Sequence, residues 1–275
     1  MKLWFTIDME DWYQGIGKPV QDWHHFEKRI KIGHHKLLNL LSKYKVKATY
    51  FILGKVIEEF PELIEEIKKE GHELACHTYS HPFLYKISPE EFRFELKKCK
   101  ELILRFQNGY KGFRAPYFSI DTRNLWALDI LRDEGFIYDS SIFPGSSMRT
   151  GIQGFRKDIH TLKNGLVEFP ISNFKVLQFP LLGRGLGGGF DFGAGGAYFR
   201  ILPYSYFKKK LKKLLVQKPV VFYIHPWELD KDQPYVKNLG QRIQYTHYYN
   251  LKSTEKKLDK LLSDFEFCTP DQILN

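Results

Sequence analysis

Residues 47–81 read KATYFILGKVIEEFPELIEEIKKEGHELACHTYSH, and a β-α-β unit is legible in them. Lys47 to Leu53 is a short apolar run closed by Gly54, the pattern of a buried strand. Val56 to Glu70 follows a helical period, with Ile57, Phe60, Leu63, Ile64 and Ile67 on one side. Gly71 stops that helix, because glycine accepts the left-handed backbone that ends one. His72 to Cys76 is the next short strand, and His77 and His81 stand just past its end.

The same rhythm extends in both directions. Upstream, Lys2 to Asp8 carries Trp4, Phe5 and Ile7 and predicts a strand, followed by a helix containing Leu37, Leu38, Leu40 and Leu41. Downstream, Ser88-Pro89-Glu90-Glu91 supplies an N-cap, a proline at N1 and a capping-box glutamate for a helix running toward Phe106. Gly112 to Arg114 predicts a strand, and Asp121 caps a helix with Leu125, Leu128 and Leu131 that Gly135 ends. Phe136 to Tyr138, Leu166 to Phe169 and Val220 to Ile224 are further strands, and a helix from Thr254 to Leu262 precedes Phe265 to Cys268. Alternating β and α calls for a parallel sheet. With 275 residues and no composition break, residues 1–275 are expected to form a single domain, and the repeats favour a barrel over an open sheet. Leu182 to Gly196 (LGRGLGGGFDFGAGG) interrupts the pattern and is expected to be an irregular lid or cleft wall rather than a phosphate loop.

Composition narrows the class. Apolar residues at 43% and charged residues at 27% exclude a disordered chain, and the 16% aromatics supply a substantial core or an aromatic-lined cleft. No apolar run reaches the ~18 residues of a membrane span. The apolar stretch Leu3–Ile7 is shorter than the roughly 7–15 residues of a secretory h-region, so no signal peptide is expected. Cys76, Cys99 and Cys268 are odd in number and widely spaced, which predicts free thiols and a cytoplasmic setting. The net charge of +10 suits an acidic partner, yet no nucleic-acid-reading motif accompanies it, and nucleic acid is not the expected ligand. In Phe207–Leu215 (FKKKLKKLL) the leucines fall at helical spacing, which makes the lysines a solvated face, with peripheral attachment to an anionic membrane as the rival reading.

Four polar clusters sit just after predicted strands, and in a parallel α/β fold all strand carboxyl ends open on one face. Asp8-Met9-Glu10-Asp11 crowds three carboxylates that would repel one another without a cation, and strand alternation puts Asp8 and Glu10 on one side. His77 and His81 can chelate one ion, with Pro82 discouraging a continued helix. Together these make a set of two histidines and a carboxylate with open positions, the pattern of a catalytic metal. Arg114-Ala115-Pro116-Tyr117 brings an arginine able to pair with a carboxylate. His225-Pro226-Trp227-Glu228 brings a histidine suited to acid–base work.

These clusters resemble the polysaccharide deacetylase family (NodB-homology, carbohydrate esterase family 4). Thr6-Ile7-Asp8, His77 to His81, Arg114 to Tyr117 and His225 follow the family's order, and DMEDWYQ, GFIYDSSIFP, YFRILPY and FYIHPWELD resemble its exopolysaccharide- and exosortase-associated subgroup. The resemblance implies a distorted (β/α)7 TIM-like barrel and metal-dependent removal of N-acetyl groups from a carbohydrate. It implies Asp8 as base, His77 and His81 as ligands of a divalent metal (Zn2+ from the histidine count), and Arg114 as the group orienting the base. It further implies the Tyr117 backbone N–H as an oxyanion donor and His225 as the acid. The common family motif has adjacent aspartates, whereas here Met9 follows Asp8. The carboxylate ligand is therefore Glu10, by analogy with a D-x-D branch, or Asp11 if the strand bulges, with Glu10 preferred for sharing a face with Asp8. Asp139 is the best match to the family aspartate that tunes the acid. Two rival functions share the pattern: hydrolysis of a small non-peptide amide, as in the allantoinase-like branch, and non-catalytic carbohydrate binding. Trp12, Tyr13, Tyr117, Phe118 and Trp227 are either core or sugar-stacking side chains.

Overall fold

The structure, a computed structural model, describes residues 1–145, 150–176, 178–179, 183–184 and 190–274. The strands are β1 (Leu3–Met9), β2 (Thr49–Ile52), β3 (Glu73–Cys76), β4 (Gly112–Phe113), β5 (Tyr138–Asp139), β6 (His160–Thr161), β7 (Val167–Glu168), β8 (Asn173–Val176), β9 (Gln178–Phe179), β10 (Gly183–Arg184), β11 (Phe190–Gly193), β12 (Val220–Ile224) and β13 (Phe267–Cys268). Seven of them, in the order β12-β1-β2-β3-β4-β5-β7, pair in parallel as the curled wall of a distorted (β/α)7-type barrel. Antiparallel β6 extends that wall beyond β7, and β13 pairs with the start of β1.

The helices cover the outside: α1 (Trp12–Gly15), α2 (Ile30–Tyr44), α3 (Gly54–Glu59), α4 (Pro61–Lys69), α5 (Pro89–Ile103), α6 (Trp126–Asp133), α7 (Gly196–Ile201), α8 (Tyr204–Leu215), α9 (Gln241–Tyr248), α10 (Thr254–Asp264) and α11 (Asp271–Leu274). The expected helix from Val56 to Glu70 is two helices. Its apolar spacing is continuous, but Pro61 starts a new one, and Phe60 before it leaves the helical region at φ −136°, ψ 57°. Ser88 caps α5 with the expected capping box. Asp121 instead accepts from the Arg123 N–H and side chain, one turn ahead of α6.

Strand alternation builds two cores. Every residue of β1 is buried, as befits a parallel strand covered on both faces. Leu3, Phe5, Ile7 and Met9 point out toward the helices and join the large outer cluster. Trp4 points inward and packs with Phe51, Tyr138, Phe169 and Val221, donating from its indole to Thr49 Oγ1 at 2.9 Å. Thr6 and Asp8 follow on the same inner face, so the interior turns from aromatic to polar as β1 approaches the barrel mouth.

Of the glycine-rich stretch, residues 182 and 185–189 lie outside the described residues; residues 190–193 form β11, antiparallel to β8, where an irregular excursion was expected. Helix α8 buries Phe207, Leu211 and Leu215, so its apolar stripe is spent on the core. The three cysteines are free and buried. No helix among the described residues is long and apolar enough to cross a membrane.

Candidate active site

The mouth of the barrel collects the ends of β1, β3, β4 and β12. Glu10 follows β1, and its Oε1 lies 3.2 Å from His77 Nε2 and 2.9 Å from His81 Nε2, all three side chains being buried. These atoms lie within 4.8 Å of one another. His77 Nδ1 donates to the Arg114 carbonyl at 2.7 Å, which leaves Nε2 as a lone pair facing a carboxylate oxygen. Two lone pairs at that separation call for a cation or a proton between them. Ligand atoms about 2.1 Å from a tetrahedral ion stand roughly 3.4 Å apart, so the donor set fits a divalent cation. A carbonyl-oriented imidazole is also the usual supporting arrangement of a metal-binding histidine.

Asp11 stands elsewhere. It caps α1, with one carboxylate oxygen accepting from the Trp12 N–H at 2.8 Å and the other from Arg29 at 2.8 Å and Ile30 at 3.1 Å. Burial pushes its carboxyl up to about 6 against those hydrogen bonds.

Asp8 faces two cations. Its Oδ1 accepts from Arg114 Nη1 at 2.7 Å, and its Oδ2 lies 3.7 Å from His225 Nε2. Arg114 is wholly buried and uses its whole fork: Nη1 also reaches Thr6 Oγ1, Nε the Ser140 carbonyl, and Nη2 the Ser140 hydroxyl. Its guanidinium lies 4.1 Å from the centre of the Phe51 ring. Such multiple anchoring fixes the direction from which Asp8 is held.

His225 begins the turn after β12, and its Nδ1 lies 2.8 Å from Glu228 Oε1. Pro226 at N1 and Glu228 three residues on close a capping box that sets this contact. Glu228 passes the charge on to Arg200, whose Nε donates to Oε2 at 2.6 Å. Burial opposes a charged imidazole here, but the carboxylates of Glu10, Glu228 and Asp8 push His225 up to about 9. Burial likewise works against an ionised Glu10, yet His81, His225 and the hydrogen bonds from His77 and His81 hold it well below the usual range.

Glu228 therefore partners His225 in the position considered for Asp139. Asp139 instead contacts Ser141 Oγ at 2.5 Å and shares a buried hydrogen bond with Glu168, its register partner on β7. The capping-box spacing within His225–Glu228 was the signal in the sequence; Arg200, 28 residues from Glu228, was marked only by lying in the YFRILPY stretch that resembles the exopolysaccharide-associated subgroup.

Tyr117 sits in the turn after Arg114, at φ 57°, with Phe118 at φ 53°. Its ring stacks on Phe83 at 4.0 Å and meets the edge of His81 at 4.4 Å, and its hydroxyl donates to the Gln14 carbonyl. Thr78 and His81 are also left-handed, at φ 67° and 63°, so the HTYSH segment is a strained loop rather than a helical turn. That backbone lets His77 and His81 reach one carboxylate oxygen.

A cavity of about 180 Å3 opens on these groups. Asp8, Glu10 and His225 form its polar end, Tyr117 and Phe118 one wall, and Ile243, Thr246 and His247 of α9 another. Trp227, Gly196 and Ala197 line it as well, whereas Trp12 and Tyr13 belong to the core.

Residues 26–133 match the polysaccharide deacetylase family model, and residues 140–275 match a domain of unknown function, DUF3473. A peptidoglycan-N-acetylglucosamine deacetylase of Bacillus cereus is 41% identical over 97 residues, 34% of this chain and 35% of that protein. A chitooligosaccharide deacetylase of a Bradyrhizobium species is 34% identical over 97 residues, 34% of this chain and 42% of its own length. The chain thus spans well under half the length of either curated relative. Among solved structures, one assigned to the polysaccharide deacetylases from Mycobacterium smegmatis superposes with a TM-score of 0.62 at 18% identity, covering 99% of this chain and 89% of that one. A carbohydrate esterase family 4 pseudoenzyme from Bacillus anthracis gives 0.50 at 13% identity, over 100% of this chain and 65% of that one. These last two likenesses establish the shared fold.

Proposed function

We propose that this chain, with a polysaccharide deacetylase match over residues 26–133 followed by a DUF3473 match over residues 140–275, hydrolyses N-acetyl groups from an amino-sugar-containing polysaccharide or its precursor. One observation carries the reading: a base held by Arg114 and a proton donor held by Glu228 flank the same cation-ready cluster, with Asp8 Oδ2 and His225 Nε2 3.7 Å apart. The relatives' own substrates, N-acetylglucosamine in peptidoglycan and chitooligosaccharide, support an N-acetylated carbohydrate.

Glu10, His77 and His81 would hold a divalent cation, Zn2+ by their imidazole content. When bound, it would polarise the acetamide carbonyl and lower the pKa of a water molecule. Asp8 takes the proton from the attacking water, and Arg114 keeps its carboxylate aimed into the cleft. The backbone N–H of Tyr117 donates to the developing oxyanion from the left-handed turn beside the cavity. His225, kept protonated by the carboxylates around it, gives its Nε2 proton to the departing nitrogen, which would otherwise leave as an anion. Acetate and a free amino sugar result. In this scheme the DUF3473 half supplies the acid, its Glu228 support and strand β12, which pairs with β1.

The lysine face of α8 offers an anionic surface charge alone, since the helix buries its apolar stripe. The function is tested with purified, metal-loaded protein and N-acetylglucosamine oligomers. Acetate release that disappears in Asp8→Asn and His77→Ala, with folding intact, supports it; undiminished turnover in either variant overturns it.

A further inference from the structure

Arg200 is wholly buried in α7, yet it belongs to two structures at once. Its Nε holds Glu228, the support of His225. Its two terminal nitrogens hold the last turn of α9: Nη2 donates to the Thr246 carbonyl at 2.5 Å, and Nη1 to those of His247 at 3.1 Å and Tyr249 at 2.6 Å. The carbonyls at a helix C-terminus are orphaned and carry partial negative charge, so a buried guanidinium there meets both needs. A second connection runs beside it. His225 stacks on Trp227 at 5.2 Å between ring centres, and Trp227 stacks on His247 at 4.2 Å. Gln233 ties the pair together, its Oε1 accepting from His247 Nε2 at 2.8 Å while its Nε2 donates to the Trp227 carbonyl.

The same helix lines the cavity with Ile243, Thr246 and His247. The residue that sets this wall therefore also sets the acid relay. We propose that α9 is a specificity-determining wall for the sugar carrying or adjoining the acetamide, and that Arg200 is the positioning residue locking this wall and His225 into one unit. This rests on the deacetylase reading of the site. A sugar seated against Ile243 and Thr246 then meets the proton donor at a fixed distance, and one that displaces the wall disturbs the donor with it. Arg200 and lysine are not equivalent here, because one ammonium cannot span a carboxylate and three carbonyls.

The coupling predicts an effect at a distance, and by thermodynamic reciprocity it must run both ways. Hydrogen exchange of the full-length protein compares wild type, Glu228→Gln and Arg200→Lys. Exchange in 241–250 is expected to quicken in both variants, although Glu228 makes none of the hydrogen bonds that hold that segment. Unchanged protection there in Glu228→Gln overturns the proposal. Kinetics on N-acetylglucosamine oligomers give a second arm. Arg200→Lys is expected to lower kcat and raise KM together, with kcat/KM down at least about tenfold. A fall in kcat at unchanged KM overturns the role of the wall. Wild-type protein that releases no acetate sinks the deacetylase reading instead, and the exchange arm still decides the coupling.

Discussion

Arg114 Nη1 stands 2.7 Å from Asp8 Oδ1, in a pair whose side chains are 0% and 4% exposed. Breaking such a pair from one side leaves the other charge buried and unmatched. Arg114→Met is therefore expected to cost about 3–5 kcal/mol in urea unfolding. Asp8→Asn keeps an oxygen that the guanidinium can use and should cost less, while abolishing acetate release and preserving metal uptake. A stability loss in Asp8→Asn equal to that of Arg114→Met would show that the pairing is not what anchors the arginine.

The two neighbouring acids separate by metal content. Glu10→Gln is expected to lose stoichiometric Zn2+ by elemental analysis, because Oε1 is the atom shared by His77 and His81. Asp11→Ala should retain the metal and lose about 0.5–2 kcal/mol of stability, the usual worth of a helix cap. Metal lost from the second variant and kept by the first would reverse the assignment of Glu10.

His225 titrates near 9 in the metal-free protein, raised from an ordinary 6.5 by surrounding carboxylates that outweigh its burial. A raised histidine stabilises fully below its unfolded pKa, and this contribution disappears as pH climbs through 9. Thermal stability of the metal-free protein should accordingly decline between pH 6.5 and 9. Imidazole signals followed by NMR should place the titration near the upper end of that window. Added Zn2+ should move it down, since a cation on Glu10 offsets the first of those carboxylates.

Gly33 lies against the turn that carries His225: a Cβ built there would stand 1.8 Å from the Pro226 carbonyl oxygen. Gly33→Ala must push α2 away from that turn, at about 1–3 kcal/mol for overpacking. Turnover should fall while Zn2+ content stays intact, because the displaced segment holds His225 and not Glu10, His77 or His81, the proposed cation ligands. Parallel loss of metal would mean the disturbance spreads across the whole barrel mouth.

Much of this was legible because β1 is buried on both sides and alternates strictly. Strand alternation set Asp8 and Glu10 on one face, and strand ends near His77, Arg114 and His225 followed from parallel pairing. What escaped depends on backbone or distant partners. Phe60–Pro61 breaks a helix whose apolar spacing gives no sign of it. The left-handed Thr78 and His81 are ordinary letters in an HTYSH string, though they let two imidazoles meet one oxygen. Glu228 had a local signal in its capping-box spacing, while Asp139 drew attention by resemblance and proved to be engaged with Ser141 and Glu168. Arg200 sits in a short helix whose sequence gives no hint of the carbonyls it collects from the far end of the chain.

Strand β12 is the neighbour of β1 although most of the polypeptide separates them. During synthesis the ribosome delivers Glu10, His77 and His81 more than a hundred residues before His225. On the chemistry proposed above, the whole set of cation ligands is made before the proton donor, and no nascent chain can cut an amide until β12 has docked beside β1.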